Sequence, residues 1–523
     1  MHLKHHMVIS IAAVLAGMAL NAYAEGLGRS ESPASYMKAS VRGVEFIALL
    51  SAGDTVNGYT MAGIPDGLGA YDNKDGTFTV LMNHEVYADA NGPAGIVRAH
   101  GGTGAFVSEW VIEKRSLKVL SGADLMKNVY QQEVHAGVWG AVPAVGILGK
   151  TSSFARLCSG DLADRDAFFN KATHRGTRHR IYLNGEEGAP IYQRGLAHVV
   201  TGPSRGNTYV LPWTADANGA WENLLANPYS GDSTVVVGNA DGGSNGIYVY
   251  VGKKRKAGND IEKAGLIGGR LYRVAVNGNL PETRAADAGL GLTMNAKGHY
   301  AGAFTLVAGA DAANTSSTRF LRPEDGAWDK KNRNRYFFVT TDRMDAAKDG
   351  NLNPDIEAGQ SGRSRLWALN FTDSAKPELG GELEMLLDGT TAQGDYQMLD
   401  NMSVNEDGSI LLQEDVGDNQ HNGKLWRFDP VAGYLVKLAG FDTALFGDIG
   451  VAAAITKDEE SSGVIDITDI LGRKDGKVYN LLVAQSHAST GAAKTLQGGQ
   501  LLLMVRSIQK HSEGRLPLAG VLR

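Results

Sequence analysis

Short apolar runs that end in polar, mostly acidic residues recur six times along this chain. The first run, at residues 78–81, ends shortly before Asn83, His84 and Glu85. A loop follows each polar ending, and a second apolar run comes after the loop. Runs of β-branched and aromatic residues bounded by turn residues predict strands. The pattern therefore predicts six antiparallel units, each with a strand that leads to a polar ending and a strand that returns.

The six units share one plan of first strand, polar ending and returning strand: 78–81, 83–85 and 105–112; 180–183, 184–187 and 208–211; 234–237, 239–241 and 247–250; 336–339, 340–342 and 365–369; 410–412, 413–415 and 424–428; 479–483, 485–487 and 500–504. Divergent repetition of antiparallel β units in one chain is typical of a β-propeller, in which each blade buries its faces against its neighbours. We therefore expect an all-β fold, a six-bladed β-propeller with loop and short helical insertions.

Two segments between these units are candidates for helical insertions, residues 161–171 and residues 281–291. The alternative architecture is a pair of separate sandwich domains. No Pro/Ser-rich linker divides the chain, which favours one domain over two.

Composition agrees with a large β protein and excludes some classes of function. The chain has 523 residues, of which 43% are hydrophobic and 21% charged, so it can bury a sizeable core. Its 67 glycines against 14 prolines favour many tight turns. The net charge of -6 without a basic stripe argues against nucleic-acid binding, because neutralising phosphates requires clustered Lys and Arg. The one basic run, residues 253–256, is interpreted as a solvated turn.

The first 24 residues are expected to be a signal peptide. Lys4 gives a basic start, residues 7–20 are apolar, and residues 22–24 (AYA) have the small-x-small pattern of a cleavage site. That run is short for a membrane span, and no later segment reaches about 18 uncharged apolar residues. We therefore expect a periplasmic or secreted monomer without stable membrane insertion, in which residues 25–523 form a single propeller domain.

The chain has one cysteine, Cys158, so it cannot form an internal disulfide. An exported protein with a lone thiol does not use the oxidising compartment for cross-linking. Cys158 is therefore either a buried, inert side chain or a ligand to a metal.

Polar strand endings at equivalent positions of a propeller open on the same face around a central axis. Several carboxylates that converge there raise one another's pKa or recruit a cation. A single acidic residue at a strand end more often caps a turn and faces water. For the whole set, however, a metal cluster is the more economical interpretation.

Several segments, in their order along the chain, resemble the PhoX alkaline phosphatase family: 83–85 (NHE), 156–160 (RLCSG), 185–187 (GEE), 320–324 (FLRPE), 460–463 (ESSG) and 485–487 (QSH). Each motif is short, but the ordered set runs through nearly all of the mature chain. The resemblance implies a six-bladed propeller with inserted helices. It also implies an exported, calcium-dependent enzyme that removes phosphate from organic monoesters, with iron and calcium ions at the propeller axis.

The resemblance, together with the repeated strand endings, gives a set of expected site residues. The expected metal ligands are Glu85, Cys158, Glu186, Glu187, Asp241, Glu324 and Glu460. Cys158 would be the thiolate on an iron, since thiolate is a soft ligand suited to a transition metal. Arg322 is expected to contact the phosphate, and Asn83 is expected either to hydrogen-bond a phosphate oxygen or to complete the coordination shell of a metal. His84 points to the other face of its strand and is expected to be structural. Both Glu186 and Glu187 can contribute only if their strand ends or bulges there.

Arg322, Pro323 and Glu324 form a compact motif in which the charged residues lie on the same side of an extended segment. The planar fork of an arginine can hold two phosphate oxygens, and a glutamate beside it can hold a hard cation. A surface ion pair is the alternative and would contribute little to stability. Because Pro323 fixes the backbone between the two side chains, we favour the functional interpretation.

One position departs from the family pattern. Where the family has a glutamate after a histidine, this chain has Val199 after His198. One carboxylate expected for calcium is therefore absent. Asp241, Glu414 and Asp415 lie at other strand endings and are candidates to compensate.

Two other functions stay open from the sequence. A propeller hydrolase acting on lactones, phosphodiesters or phosphotriesters would also use calcium at the axis. A non-catalytic protein could bind calcium for stability alone, and for it the relevant segment is residues 345–357, which alternates oxygen-bearing side chains but lacks the spacing of a helix-loop-helix calcium loop.

Overall fold

The computed structural model describes residues 34–507, apart from residues 90–91, 133–136, 148, 189–190, 216, 218, 244, 278–279, 284, 310–316, 342–363, 390–395 and 419–420. The expected signal peptide and the acidic segment at residues 345–357 lie outside the described residues. The rest forms an all-β propeller of six blades, as the strand pattern predicts. None of the helices in the described part of the chain has the length and apolar character needed to cross a membrane.

Each blade is an antiparallel sheet of four principal strands. From the axis outward, blade 1 has Pro65–Asp72, Thr77–His84, Phe106–Glu113 and Val119–Asp124; blade 2 has Leu157–Leu162, Ile181–Glu186, Gly195–Val199 and Asn207–Val210; blade 3 has Gly219–Ala226, Ser233–Gly243, Ile247–Lys253 and Arg270–Val276; blade 4 has Pro323–Trp328, Arg335–Thr340, Arg365–Phe371 and Gly381–Asp388; blade 5 has Leu399–Val404, Ile410–Glu414, Lys424–Asp429 and Tyr434–Phe441; blade 6 has Glu459–Asp466, Lys477–Ser489, Gln497–Ser507 and Val44–Ser51.

Additional elements extend or connect the blades. Met37–Ala39 pairs with the outer strand of blade 5, Asn128–Gln132 and Trp139–Ala141 extend blade 2, and Tyr300–Ala308, with Thr293–Met294 beside it, joins blades 3 and 4. Three two-stranded ribbons lie in the loops: Thr55–Val56 with Tyr59–Thr60, Ala88–Asp89 with Gly92–Pro93, and Phe169–Asn170 with Arg175–Gly176. The short α-helices are Arg165–Phe168, Asp260–Ala264, Thr443–Phe446 and Thr468–Leu471, and Pro212–Thr214 and Pro377–Leu379 are 3-10 turns.

The innermost strands of the six blades pack side by side in a closed ring around the axis. Blade 6 is completed from both ends of the chain, because Val44–Ser51 pairs antiparallel with Gln497–Ser507, placing Val44 opposite Arg506. Apolar side chains fill the spaces between adjacent blades, and Trp110, Trp221 and Trp367 are completely buried there.

The predicted strand pairs are the second and third strands of five blades. In blade 2 the returning strand is Gly195–Val199, and the predicted 208–211 falls largely on the outer strand instead. His198 interrupts the apolar pattern of the true returning strand, where Thr208 and Asn184 hydrogen-bond its buried ring. The predicted helix at 161–171 is present as Arg165–Phe168, but the described residues of 281–291 form turns rather than a helix.

All six innermost strands carry a β-bulge or register shift near the point where they enter the axis. The shifts lie between Pro65 and Leu68, Leu157 and Gly160, Trp221 and Asn223, Pro323 and Gly326, Leu399 and Met402, and Ser462 and Val464. A bulge re-aims side chains that would otherwise alternate between the two faces of a sheet. Polar residues that are neighbours in the sequence can therefore both reach the axis.

Candidate metal centre and active site

Among the described residues, six carboxylates and the thiol converge at the axis, and we refer to them as the axial cluster. Its members are Asp66, Glu85, Cys158, Glu187, Glu222, Glu324 and Asp400. They form three overlapping groups, and within each group one donor atom from every residue lies within 4.8 Å of the others. The groups overlap through Cys158, which belongs to two of them, and through Glu222, which links the second to the third. Such an arrangement of oxygen and sulfur donors can hold several cations side by side.

Burial and mutual repulsion raise the pKa of most groups in the axial cluster. Burial is the largest cause for Asp66, Glu222, Glu324 and Asp400, and neighbouring carboxylates add to it. Burial also raises the pKa of the Cys158 thiol, with Glu85 and Glu187 next in effect. Cations would relieve this repulsion, because they stabilise the ionised form of every ligand.

Arg156 lies beside the first two groups and bridges two of their carboxylates. Its guanidinium donates to Glu85 Oε1 at 2.7 Å and lies 2.8 Å from Glu187 Oε2. Burial opposes ionisation of Glu85, but Arg156 and His487 outweigh it and hold the pKa of Glu85 below its ordinary value. Cys158 Sγ lies 3.1 Å from Glu187 Oε2. The side chain of Arg156, taken as a whole, is 34% exposed.

Arg322 has the equivalent position at the third group. Its guanidinium makes a forked pair with Asp241, at 3.0 Å from Nε and 2.6 Å from Nη2. Nη2 also lies 2.9 Å from Glu324 Oε1, but the angle is not that of a hydrogen bond, and this buried oxygen accepts none from the described residues. A buried carboxylate oxygen that accepts no hydrogen bond costs free energy unless something else compensates for it. A cation at this oxygen would satisfy it.

The bulge of blade 2 is held by polar neighbours from three other blades. Glu222 Oε1 accepts hydrogen bonds from both the backbone N (3.1 Å) and the hydroxyl (2.5 Å) of Ser159. Asn401 donates to the Ser159 hydroxyl at 2.6 Å and to Asp66 Oδ1 at 3.2 Å. These bonds fix the backbone that presents Cys158 to the axis.

Asn83 lies behind this bulge, with its amide occupied by structural hydrogen bonds. Its Nδ2 donates to the carbonyl oxygens of Cys158 (2.6 Å) and Ser159 (3.1 Å), and its Oδ1 accepts from Tyr182 and Asn184. The structure therefore places Asn83 as a support for the Cys158 backbone rather than as a group facing a ligand.

His84 is completely buried on the opposite face of its strand, as expected. Its ring lies 2.9 Å from both Gly63 O and Ser108 Oγ and stacks on Phe106. Burial lowers the pKa of His84 to about 3, so the ring is neutral. Its role is structural.

Three of the expected metal ligands lie outside the three groups of the axial cluster. Glu186 pairs with Arg194, at 2.6 Å and 2.9 Å, and turns away from the axis, whereas Asp241 is the partner of Arg322. Glu460 accepts hydrogen bonds from Ser462 and Gln485. The strand that carries Glu186 ends at this residue, and Glu187 follows it outside the strand.

The candidates for replacing the missing carboxylate at Val199 are also placed apart from the three groups. Val199 is completely buried in the apolar core between blades 2 and 3. Glu414 accepts a hydrogen bond from Trp426 Nε1 (2.8 Å) and lies 2.9 Å from His421 Nε2. Asp415 is closer to the site, since it pairs in an isolated bridge with Glu460.

Sequence reasoning missed three members of the axial cluster, Asp66, Glu222 and Asp400. They lie on the innermost strands, one strand before a recognised strand ending. A repeated signal marks them: an acidic or hydroxyl residue followed by Gly or Asn, as in Asp66-Gly67, Ser159-Gly160, Glu222-Asn223, Asp325-Gly326, Asp400-Asn401 and Ser462-Gly463. In these strands the polar residue comes near the beginning, whereas the predicted pattern places polar residues at strand ends.

A cavity of about 470 Å³ runs along the innermost strands beyond the bulges. Ser159, Asp325 and Asn401 lie at the end near the axial cluster, and Tyr229 and Lys330 line its far part. Burial is the main reason that the pKa of Asp325 rises to about 7. Neither Arg156 nor Arg322 lines this cavity.

Comparison with known proteins agrees with this geometry. The family model of alkaline phosphatase PhoX matches residues 222–463. Among solved structures, Pseudomonas fluorescens PhoX in complex with vanadate, a transition state analogue, matches with a TM-score of 0.52 and 12% sequence identity, covering 92% of this chain and 98% of that one. No curated protein matches the sequence.

Two further solved structures are similar to this chain with TM-scores below 0.5. One is a possible 6-phosphogluconolactonase from Bacteroides uniformis, with a TM-score of 0.28 and 8% identity, covering 80% of this chain and 94% of that one. Another is a mutant of the Synechocystis apocarotenoid oxygenase, with a TM-score of 0.33 and 9% identity, covering 89% and 90%. The family match over residues 222–463 and the shared propeller fold therefore show that this chain is similar to the PhoX alkaline phosphatases, which are phosphoric ester hydrolases.

Proposed function

We propose that this chain is an exported, metal-dependent phosphatase that hydrolyses organic phosphomonoesters at the axial cluster. The observation that carries the proposal is the cluster itself: six carboxylates and one thiol within overlapping 4.8 Å groups, flanked by two partly exposed arginines. A set of buried acids with raised pKa values has little structural use, whereas it suits cations that bind a phosphate.

The donor types suggest which cations these are. Carboxylate oxygens are the ligands that calcium prefers, and Glu222, Glu324 and Asp400 offer only such oxygens. The two groups that share Cys158 include a soft sulfur donor and favour a transition metal such as iron. Glu324 Oε1 fits this assignment, because it accepts no hydrogen bond from the described residues and a bound cation would take the place of one.

Arg156 and Arg322 are the proposed phosphate contacts. Each guanidinium is held by two carboxylates, so its orientation is fixed before any substrate arrives, and each is about one third exposed. A fixed guanidinium fork can donate to two oxygens of one phosphate. Asn83 acts indirectly in this proposal, by holding the backbone of Cys158.

In the proposed reaction, bound cations and the side chains of this protein have different roles. Bound cations would act as Lewis acids that neutralise the charge of the phosphoryl group and activate water. The two arginines would hold the equatorial oxygens as negative charge develops on them, the kind of preorganised contact that contributes most to catalysis. Burial of the acidic groups, most of them below 10% exposed, keeps competing water away from the cluster.

Export, a single domain over residues 25–523 and a monomeric state complete the proposal. The family match supports export, since alkaline phosphatases of this kind act outside the cytoplasm. The small-molecule substrate is the organic phosphomonoester itself.

Elemental analysis of the native protein, combined with assays on a phosphomonoester, a phosphodiester and a lactone, tests the proposal. We expect calcium and iron, monoester cleavage, and loss of activity on chelation. Cys158→Ala should remove the transition metal, and Arg322→Ala should abolish activity while metal content stays near that of the wild type. A metal-free protein that is inactive on all three substrates would refute the proposal, and cleavage of only the lactone or diester would assign it to another class of hydrolase.

A further inference from the structure

We propose that Glu282 is a positioning residue that fixes the orientation of Arg322, an inference that rests on the proposed role of Arg322 in binding phosphate. Glu282 lies on the loop after Arg270–Val276 and is 4% exposed. Nothing in its sequence position links it to the axial cluster. Its contacts, however, are with the backbone that carries Arg322 and with the strand beside it.

Two hydrogen bonds attach the segment before Arg322 to Glu282. The Leu321 backbone N donates to Glu282 Oε2 at 2.8 Å, and the Glu282 backbone N donates to Arg319 O at 2.7 Å. The other side of this segment is held by Phe320, whose backbone N donates to Asn245 O at 2.8 Å and whose ring packs edge-on against Trp367. Glu282 therefore holds one side of this segment through hydrogen bonds.

Arg322 needs such support because its backbone is in the left-handed region, with φ of +55°. A non-glycine residue in this region persists only where its surroundings impose it. The Arg322 N donates to Phe320 O at 3.1 Å, and Thr341 N donates to Arg322 O at 3.0 Å. A small shift of Leu321 would thus rotate Arg322 and move its guanidinium relative to Asp241 and the cluster.

Glu282 is itself held in place by a buried charge network. Its Oε1 accepts from Arg365 Nη1 at 2.9 Å and from Thr340 Oγ1 at 3.2 Å. Arg365 is 2% exposed and also donates to Asp388 at 3.1 Å. A buried pair of this kind is rigid, because separating the partners leaves an uncompensated charge.

Glu282→Gln tests the inference. A glutamine has one acceptor oxygen, so it cannot accept from both Leu321 N and the Arg365 guanidinium. We expect KM for a phosphomonoester to rise and inhibition by inorganic phosphate to weaken by about tenfold, since misplacing a binding group by a fraction of an ångström has effects of this order. Metal content should be unchanged. Glu384→Gln is the matched control, because Glu384 is a similarly buried carboxylate on the outer strand of blade 4, bound by His299 and Lys297.

A double-mutant cycle separates positioning from general destabilisation. Because Arg322→Ala is expected to be inactive, the cycle measures phosphate binding directly by calorimetry. In the Arg322→Ala background, Glu282→Gln should change the Kd for inorganic phosphate by less than about twofold, because its effect is transmitted through Arg322. Equal effects in both backgrounds would overturn the inference. If Glu282→Gln does not yield folded protein, Arg365→Lys, which keeps the buried charge but loses the fork, takes its place in the same cycle.

Hydrogen exchange keeps this test distinct from the test of phosphatase activity. The amide protons of Arg322 and Thr341 should exchange faster in Glu282→Gln than in the wild type, and should be unaffected in Glu384→Gln. Unchanged exchange would overturn the positioning role even in an active enzyme. A wild-type protein that neither cleaves monoesters nor binds phosphate would refute the proposed function, while the exchange result would still decide whether Glu282 orders this segment.

Discussion

Replacing Glu459 by glutamine is expected to stabilise the metal-free protein at alkaline pH and to have little effect at about pH 4. Glu459 is 1% exposed. Its Oε1 accepts a hydrogen bond from Gly423 N at 3.0 Å, whereas its Oε2 accepts none from the described residues. Burial is the main cause that raises the pKa of Glu459 from 4.5 to about 8. Glutamine has the same shape and can keep the bond from Gly423 without a charge.

The direction of this effect on stability follows from comparing the protonation of Glu459 in the folded and unfolded states. Below pH 4.5 the Glu459 carboxyl is protonated in both states and has no effect on stability. Between pH 4.5 and about 8 only the unfolded chain ionises, so the free energy of unfolding falls by about 1.4 kcal/mol per pH unit. Above about pH 8 both states are ionised and the loss is constant. The difference between the two pKa values of Glu459 sets an upper limit of about 5 kcal/mol on the stability lost through its ionisation. Relaxation around a buried charge reduces the stability that we expect Glu459→Gln to gain to about 2 kcal/mol.

Urea unfolding followed by tryptophan fluorescence measures this difference, with a chelator present and at about pH 4, 6 and 9. Glu384→Gln is the control of opposite sign. A hydrogen bond from His299 is the largest cause that lowers the pKa of Glu384 to about 2. The ionised Glu384 therefore stabilises the fold above pH 4.5, and this contribution disappears as the pH falls through about 2. Glu384→Gln should therefore lower the free energy of unfolding by about 2 kcal/mol at neutral pH.

The two variants should therefore shift the unfolding midpoint in opposite directions at about pH 8. A Glu459→Gln difference that is the same at every pH would refute the reasoning, because a pH-independent effect is one of packing rather than ionisation. A loss of stability at about pH 9 would refute it as well, since it would mean that the ionised carboxylate has a favourable partner.

Two further predictions concern the axis. Gly67→Ala should lower the free energy of unfolding by about 1 to 3 kcal/mol and reduce metal content. The reason is steric, because an added Cβ would lie 2.3 Å from Gly160 N and 2.8 Å from Asn83 Nδ2. A variant with the melting temperature and metal content of the wild type would contradict this prediction. Arg156→Lys should weaken inhibition by inorganic phosphate by about tenfold at unchanged metal content, because a lysine cannot reproduce the guanidinium fork that Glu85 and Glu187 hold. The control is Lys171→Arg, since Lys171 forms an exposed ion pair with Asp166 on the surface, far from the axis.

The second and third strands of the blades were predictable from the sequence, because each contains an apolar run, as in Thr77–His84 and Lys477–Ser489. The innermost strands were not, although they surround the site. Pro65–Asp72 and Pro323–Trp328 begin with proline and contain aspartate and glycine, residues that normally mark turns. Their strand conformation comes from the ring of neighbouring blades rather than from local preference.

The same limit applies to the candidate site. Glu85, Cys158, Glu187 and Glu324 could be recognised because they lie in motifs of known appearance, and the structure places them in the axial cluster. The separate positions of Glu186 and Glu187 could not be recognised, since they depend on where the strand Ile181–Glu186 ends and on the buried Arg194. Register and bulges decide which side chains reach the axis, and these depend on contacts between residues far apart in the sequence.

The pairing of Val44–Ser51 with Gln497–Ser507 has a consequence for the order of folding. Blade 6 lacks its third strand until residues 497–507 have been synthesised, so Val44–Ser51 has no partner strand until then. The axial cluster takes Asp66 from blade 1 and Asp400 from blade 5, and both depend on that closure for their relative positions. Contacts between such distant segments form slowly. Metal ions would therefore be held stably only once blade 6 is complete, and a chain shortened before residue 497 should fail to retain them.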